Sequence, residues 1–238
     1  MTIPPCKALQ GYKMNKELLV LFAKEPVCGQ VKTRLGKDTG MKAASSLYDL
    51  LLRHIIKNVA FLKDYKDYDV IIYKTPGSSK VYFEKIADGI IVKDQPEGDL
   101  GKKMYAAFNQ GFANDYERIC IAGTDCPGIS HADILKAFKL LKTGKLVLGP
   151  SDDGGYYLIG LSGSYPQLFE NIAWSTKDVL SSTLKIAGSL GITCNLLSLK
   201  TDIDEMADIE RYMSKYPDSK LTLAFKKVLI DFVVKVIT

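Results

Sequence analysis

Apolar positions along this chain alternate between two spacings. Short unbroken runs, bounded by glycine, proline or aspartate, read as buried strands; between them, apolar residues recur every three or four positions, the helical period. The first run, Leu18-Leu19-Val20-Leu21-Phe22, ends abruptly in a loop rich in Lys24, Pro26, Gly29, Lys32, Thr33 and Arg34. Ala44, Leu47, Tyr48, Leu51, Ile55 and Leu62 then predict an amphipathic helix over 40–62. Strands are predicted at 69–73, 89–92, 119–122, 146–149, 156–161 and 193–198, and helices at about 79–87, 102–114, 130–143, 177–190, 205–215 and 220–236. Only Pro150–Gly155 separates the fifth and sixth strands, too little chain for a helical crossover. The sixth strand is therefore expected to be antiparallel or to lie in a separate layer. Otherwise strand and helix alternate, which predicts an α/β fold with a mostly parallel sheet between helical layers. Neither a repeat nor a linker interrupts it, so residues 17–238 read as one domain and 1–16 as an N-terminal extension.

Composition narrows the partners. A net charge of +5 without an arginine-rich tract argues against nucleic acid and suits a small anionic ligand. The five cysteines are scattered without C-x-x-C spacing, and residues 1–13 lack the apolar segment of a secretion signal. Both points favour reduced thiols in a cytoplasmic protein. The late run Val228–Ile237, broken by Asp231 and Lys235, is too short for a membrane span. Phe225, Val228, Leu229, Phe232 and Val236 form a helical stripe that either packs on the domain or serves a homodimer contact.

In a parallel sheet, ligands bind beyond the carboxyl ends of the strands. The loops predicted on that edge carry most of the chemistry. After the first strand, Ala23, Lys24, Gly29, Lys32, Thr33 and Arg34 form a basic turn in which glycine admits an anion to the backbone and the cations supply charge. It is either a phosphate grip or a solvated basic turn. It is not a Walker loop, whose two glycines would fall on Val31 and Pro26. Gln95, Gly98, Asp99, Leu100 and Gly101 follow the third strand and are further candidates for binding a nucleotide or its phosphates. Asp125, in Gly-Thr-Asp-Cys-Pro-Gly, follows the fourth and is either a ligand for a hard divalent ion or a turn aspartate. Asp202 and Asp204 share a face if extended, and are either further metal ligands or a helix start. In Asp152-Asp153-Gly154-Gly155-Tyr156-Tyr157, a carboxylate before glycines is either a general base beside an acceptor or part of a hairpin turn. Trp174, the single tryptophan, is either core or acceptor platform.

Four strings in order resemble the GT-A nucleotide-diphospho-sugar transferase superfamily: Phe22-Ala23-Lys24-x-Pro26-x-x-Gly29-x-Val31-Lys32-Thr33-Arg34-Leu35, Gly98-Asp99-Leu100-Gly101, Gly123-Thr124-Asp125-Cys126-Pro127, and Leu148-Gly149-Pro150-x-x-Asp153-Gly154-Gly155-Tyr156-Tyr157. Trp174-Ser175-Thr176 and Asp202-Ile203-Asp204 follow in the expected order. More narrowly, the chain resembles small bacterial glycosyltransferase-like proteins, one branch of which is associated with arsenosugar biosynthesis. The resemblance implies a nucleotide-diphospho-sugar or nucleoside triphosphate held by the first loop, with Lys24, Lys32 and Arg34 near its phosphates. It implies Mg²⁺ or Mn²⁺ on Asp125, with Asp204 or Asp202 opposite. Asp153 would face the acceptor, beside Gly154, Gly155, Tyr156 and Trp174. The second carboxylate of the family's D-x-D motif is missing, since the string here is Asp-Cys-Pro. The implied activity is metal-assisted glycosyl transfer to a small acceptor; nucleotidyl transfer and non-catalytic nucleotide binding are the alternatives.

Overall fold

The structure, a computed structural model, describes residues 16–60 and 68–237; most of the expected N-terminal extension lies outside them. Seven strands form one sheet in the order β3-β2-β1-β4-β6-β5-β7: β1 (Glu17–Ala23), β2 (Asp69–Lys74), β3 (Ile91–Asp94), β4 (Arg118–Ala122), β5 (Leu146–Pro150), β6 (Tyr156–Leu161) and β7 (Cys194–Leu196). All but β6 run in one direction; β6 lies antiparallel between β4 and β5, within the same sheet.

The alternation along each strand divides the interior. Leu19, Leu21 and Ala23 face one core and Leu18 and Val20 the other; Cys120 and Ala122 oppose Ile119 and Ile121 in the same way. On the first face lie α1 (Thr33–Thr39), α2 (Met41–Ala60), α3 (Lys80–Ile86), α5 (His131–Leu141), α7 (Met206–Lys215) and α8 (Lys220–Ile237). The second face carries α4 (Leu100–Phe112), α6 (Val179–Ser189) and a 3-10 turn at Pro166–Phe169, where Phe108 and Phe169 pack at 5.8 Å between ring centres. This is the three-layer arrangement that the alternating pattern predicts. Four residues of the α8 stripe pack on the domain: Phe225 is fully buried, Val228 and Leu229 pack on the same core, and Phe232 lies against Gly40; the Val236 side chain lies outside the described ones. No helix among the described residues is long and apolar enough to cross a membrane.

Two elements depart from expectation. Thr33 and Arg34 belong to a short helix, α1, instead of a loop, because buried Val31 and Leu35 anchor both sides of the turn. The last strand shortens to three residues, and beyond it single bonds such as Leu197 N–H to the Leu148 carbonyl carry the chain along β5.

Strand order sets the site. From β1 the chain winds outward through α2 to β2 and β3, then returns by α4 on the opposite face to β4. The crossovers therefore separate between β1 and β4, and a crevice opens at their carboxyl ends. The far wall of that crevice is steadied by α5, whose Ser130 and Asp133 form a reciprocal capping box. Ser130→Ala should cost about 1 kcal/mol and lower Tm by roughly 2–4 °C in calorimetry.

Candidate functional site

A cleft of about 610 Å³ occupies this crevice. Its near wall is the β1 exit. Gln30 N–H bonds to the Val27 carbonyl (3.0 Å), Gly29 takes φ 78°, and Lys32 sits in the left-handed region at φ 47°. That conformation is costly for a side chain with a Cβ, on the order of 1 kcal/mol. The Lys32 side chain is only 6% exposed, and its Nζ stands 2.5 Å from Asp125 Oδ1 and 2.6 Å from Asp204 Oδ1. Burial alone would lower the pKa of this ammonium, but the charges and hydrogen bonds of Asp125 and Asp204 outweigh it and raise the value.

Beneath Lys32 lies Tyr48 of α2, its ring centre 5.8 Å from the ammonium. The Tyr48 hydroxyl accepts from Lys24 N–H (3.3 Å) and pairs with Thr124 Oγ1 (2.9 Å), which also donates to the Phe22 carbonyl (3.3 Å). This buried network ties the exits of β1 and β4 together. Burial, with Asp125 nearby, pushes the Tyr48 phenol up to about 12, so it remains a neutral hydrogen-bonding group at physiological pH.

The far wall joins Asp125 to the 202–204 segment. Ile203 N–H donates to the Asp125 carbonyl (2.9 Å), while Asp208 Oδ2 accepts from Asp204 and Glu205 N–H at 3.0 and 2.9 Å. Asp202 Oδ1 is buried without a hydrogen-bond partner. Burial first, then the negative charges of Asp125 and Asp153, push the Asp202 carboxyl up to about 7. Carboxylate oxygens are the right donors for a hard divalent ion, and an orphaned buried oxygen suits one. As the side chains stand, no set of three or more ligating groups converges among the described residues. Between Asp125 and Asp204 there is instead the Lys32 ammonium.

Of the residues singled out in the sequence, the cleft gathers Ala23, Lys24, Lys32, Thr33, Arg34, Gln95, Leu100, Asp125, Asp202, Asp204 and Tyr156. Gly29, Gly98, Asp99, Gly101, Asp152, Asp153, Gly154, Gly155 and Trp174 are not in its lining. Several have a local role. Asp99 caps α4, accepting from Lys102 N–H at 2.9 Å. Asp153 accepts from the Ser151 hydroxyl and from Gly155 N–H, and Asp152 from Thr201 and Arg211, so both carboxylates fasten the turn. Gly101 makes room for the Trp174 indole, which would lie 2.5 Å from any Cβ there. Sequence reasoning missed Tyr48, Thr124, Lys103, Met104 and Ser175 as lining residues. Leu100, Lys103 and Met104 at i, i+3 and i+4 were a usable signal, since one helix face meets the cleft.

Residues 59–176 match the model of a family described as an uncharacterized protein conserved in bacteria (DUF2064). A structure from Desulfovibrio desulfuricans G20, provisionally assigned as a nucleotide-diphospho-sugar transferase, is 27% identical to this chain; the match covers 92% of this chain and 99% of that one, with a TM-score of 0.82. Two more distant structures share the fold. The inositol-1-phosphate CTP transferase from T. maritima is 15% identical, with a TM-score of 0.51 over 91% of this chain and 97% of its own. The 4-diphosphocytidyl-2C-methyl-D-erythritol synthase from Anaerococcus prevotii DSM 20548 is 10% identical, with a TM-score of 0.53 over 85% and 100%. No curated protein matches this chain. The fold is of the nucleotide-diphospho-sugar transferase type, as the ordered motifs implied.

Proposed function

We propose that this protein is a transferase that uses a nucleotide-activated donor, and that it moves a sugar from a nucleotide-diphospho-sugar to a small acceptor. The observation that carries this reading is the crevice between β1 and β4, where cations of the basic turn face carboxylates across one cleft. The likeness to the Desulfovibrio structure supports the diphospho-sugar donor.

In glycosyl transfer the bond from the anomeric carbon to the diphosphate breaks as the acceptor oxygen bonds to that carbon; negative charge grows on the departing diphosphate, and the hydroxyl proton passes to solvent or to that diphosphate. Lys24, Arg34 and Lys103 line the cleft and supply fixed positive charge to that leaving group. Arg34, with its side chain 70% exposed, has among the described residues a distant 3.8 Å partner in Glu205, so its fork is available to a phosphate. Asp125 and Asp204, with Asp202, would hold Mg²⁺ or Mn²⁺, which supplies Lewis-acid stabilisation to the same leaving group. Tyr48 and Thr124 hold the two walls at a fixed separation. Asp153, the carboxylate expected to face the acceptor, fastens the turn before β6 by accepting from the Ser151 hydroxyl and Gly155 N–H.

Thermal melting with UDP, GDP, CDP, ADP and the corresponding diphospho-sugars, each with Mn²⁺ and with chelator, tests the reading. A ligand at a hundred times its Kd adds about 2.7 kcal/mol, so one base should raise Tm by roughly 5–10 °C. A flat response across the panel would overturn nucleotide binding. Release of pyrophosphate from a triphosphate would move the reaction to nucleotidyl transfer.

A further inference from the structure

The Lys32 ammonium occupies the space between Asp125 Oδ1 and Asp204 Oδ1, at 2.5 and 2.6 Å, the carboxylates that would hold a divalent ion. The two cannot share it. Nor does the lysine fully satisfy the site: a single positive charge is shared between Asp125 and Asp204, and Asp202 Oδ1 is buried without a partner. A divalent ion would meet that surplus better. What would release the lysine is another anion within reach of its flexible stem, and a diphosphate held by the neighbouring Lys24 and Arg34 is such an anion.

We propose that Lys32 is a displaceable placeholder: in the ligand-free protein its ammonium holds Asp125 and Asp204 apart for a divalent ion, and a bound nucleoside diphosphate draws it away, so that metal and nucleotide enter together and metal alone is refused. This rests on the nucleotide-transferase reading for its second half only. The left-handed backbone of Lys32, fixed between buried Val31 and Leu35, keeps the base of the side chain still while its end exchanges partners. The coupling is reciprocal by linkage, so the ion tightens nucleotide binding by the factor that nucleotide tightens the ion.

The test is a four-cornered cycle in Mn²⁺ affinity, read from the paramagnetic resonance signal of the free aquo ion. Mn²⁺ alone is titrated first into wild type and Lys32→Met; both titrations are then repeated with UDP, GDP, CDP or ADP, each nucleotide corrected by a protein-free blank. Lys32→Met should bind Mn²⁺ alone about ten-fold tighter than wild type, and nucleotide should raise the Mn²⁺ affinity of wild type about ten-fold more than that of the variant. Equal affinity of wild type and Lys32→Met for Mn²⁺ alone overturns the proposal. Lys32→Gln repeats the comparison should Lys32→Met fail to fold, as judged by circular dichroism. If no nucleotide binds, the transferase reading falls, while the metal-alone comparison still decides whether Lys32 blocks the ion.

Discussion

Gly154→Ala should lower stability by about 3 kcal/mol, and Tm by roughly 6–12 °C. Two causes add. Gly154 lies at φ 87°, where a Cβ is strained, and that Cβ would overlap the Lys177 carbonyl oxygen. The overlapped atom is backbone and cannot rotate aside. Gly154 is also bonded on both sides, its N–H to the Ser151 carbonyl (3.2 Å) and its carbonyl from Leu180 N–H (2.9 Å). Retreat would therefore break either the turn after β5 or the entry to α6. Gly155→Ala is the control. Its nearest neighbours are the movable ends of Asp153 and Ser151, at 3.2 and 3.4 Å, and it should cost less than about 1 kcal/mol. Urea unfolding of both variants decides the matter, and equal costs would refute this account of the turn.

Asp202→Asn should act in the opposite direction and only above acid pH. The folded protein holds the Asp202 proton up to about pH 7, whereas the unfolded chain releases it near the ordinary value of 3.8. Between those limits the native state binds more protons, so stability falls as pH rises, and the cost is complete above pH 7. Asparagine has no such proton to lose. The variant should match wild type near pH 4 and exceed it by about 2–4 kcal/mol at pH 8. Chelator must be present, because a bound divalent ion would favour the carboxylate. Denaturation at the two pH values checks the prediction; a variant no more stable than wild type at pH 8 would mean that Asp202 is ionised and satisfied.

The sheet was legible because its central strands β1, β4, β5 and β6 are buried on both faces. Runs such as Leu18–Phe22 have no competing explanation as surface, and the short Pro150–Gly155 connection left β6 few places to go. The α1 helix was hidden by its own composition. Thr33, Gly36 and Thr39 are poor helix formers, and Gly36 is there to clear Met41, whose sulfur would lie 2.5 Å from a Cβ. Such packing glycines are indistinguishable in sequence from ligand-binding ones. Gly101, in the loop after the third strand, leaves space for the Trp174 indole. Motifs located the loops of the cleft. They could not reveal which way Lys32 turns, since that depends on a left-handed backbone angle and on two carboxylates 93 and 172 residues away in the chain.

The seat of Trp174 on Gly101 has an optical consequence. This is the chain's single tryptophan, half-buried against the first turn of the helix whose Leu100, Lys103 and Met104 face the cleft. Indole emission from the native protein therefore originates beside the first turn of α4 and from nowhere in the central sheet. A denaturation curve followed by that emission records when that contact opens, and a second probe, such as far-ultraviolet dichroism, is needed to see whether the sheet opens with it.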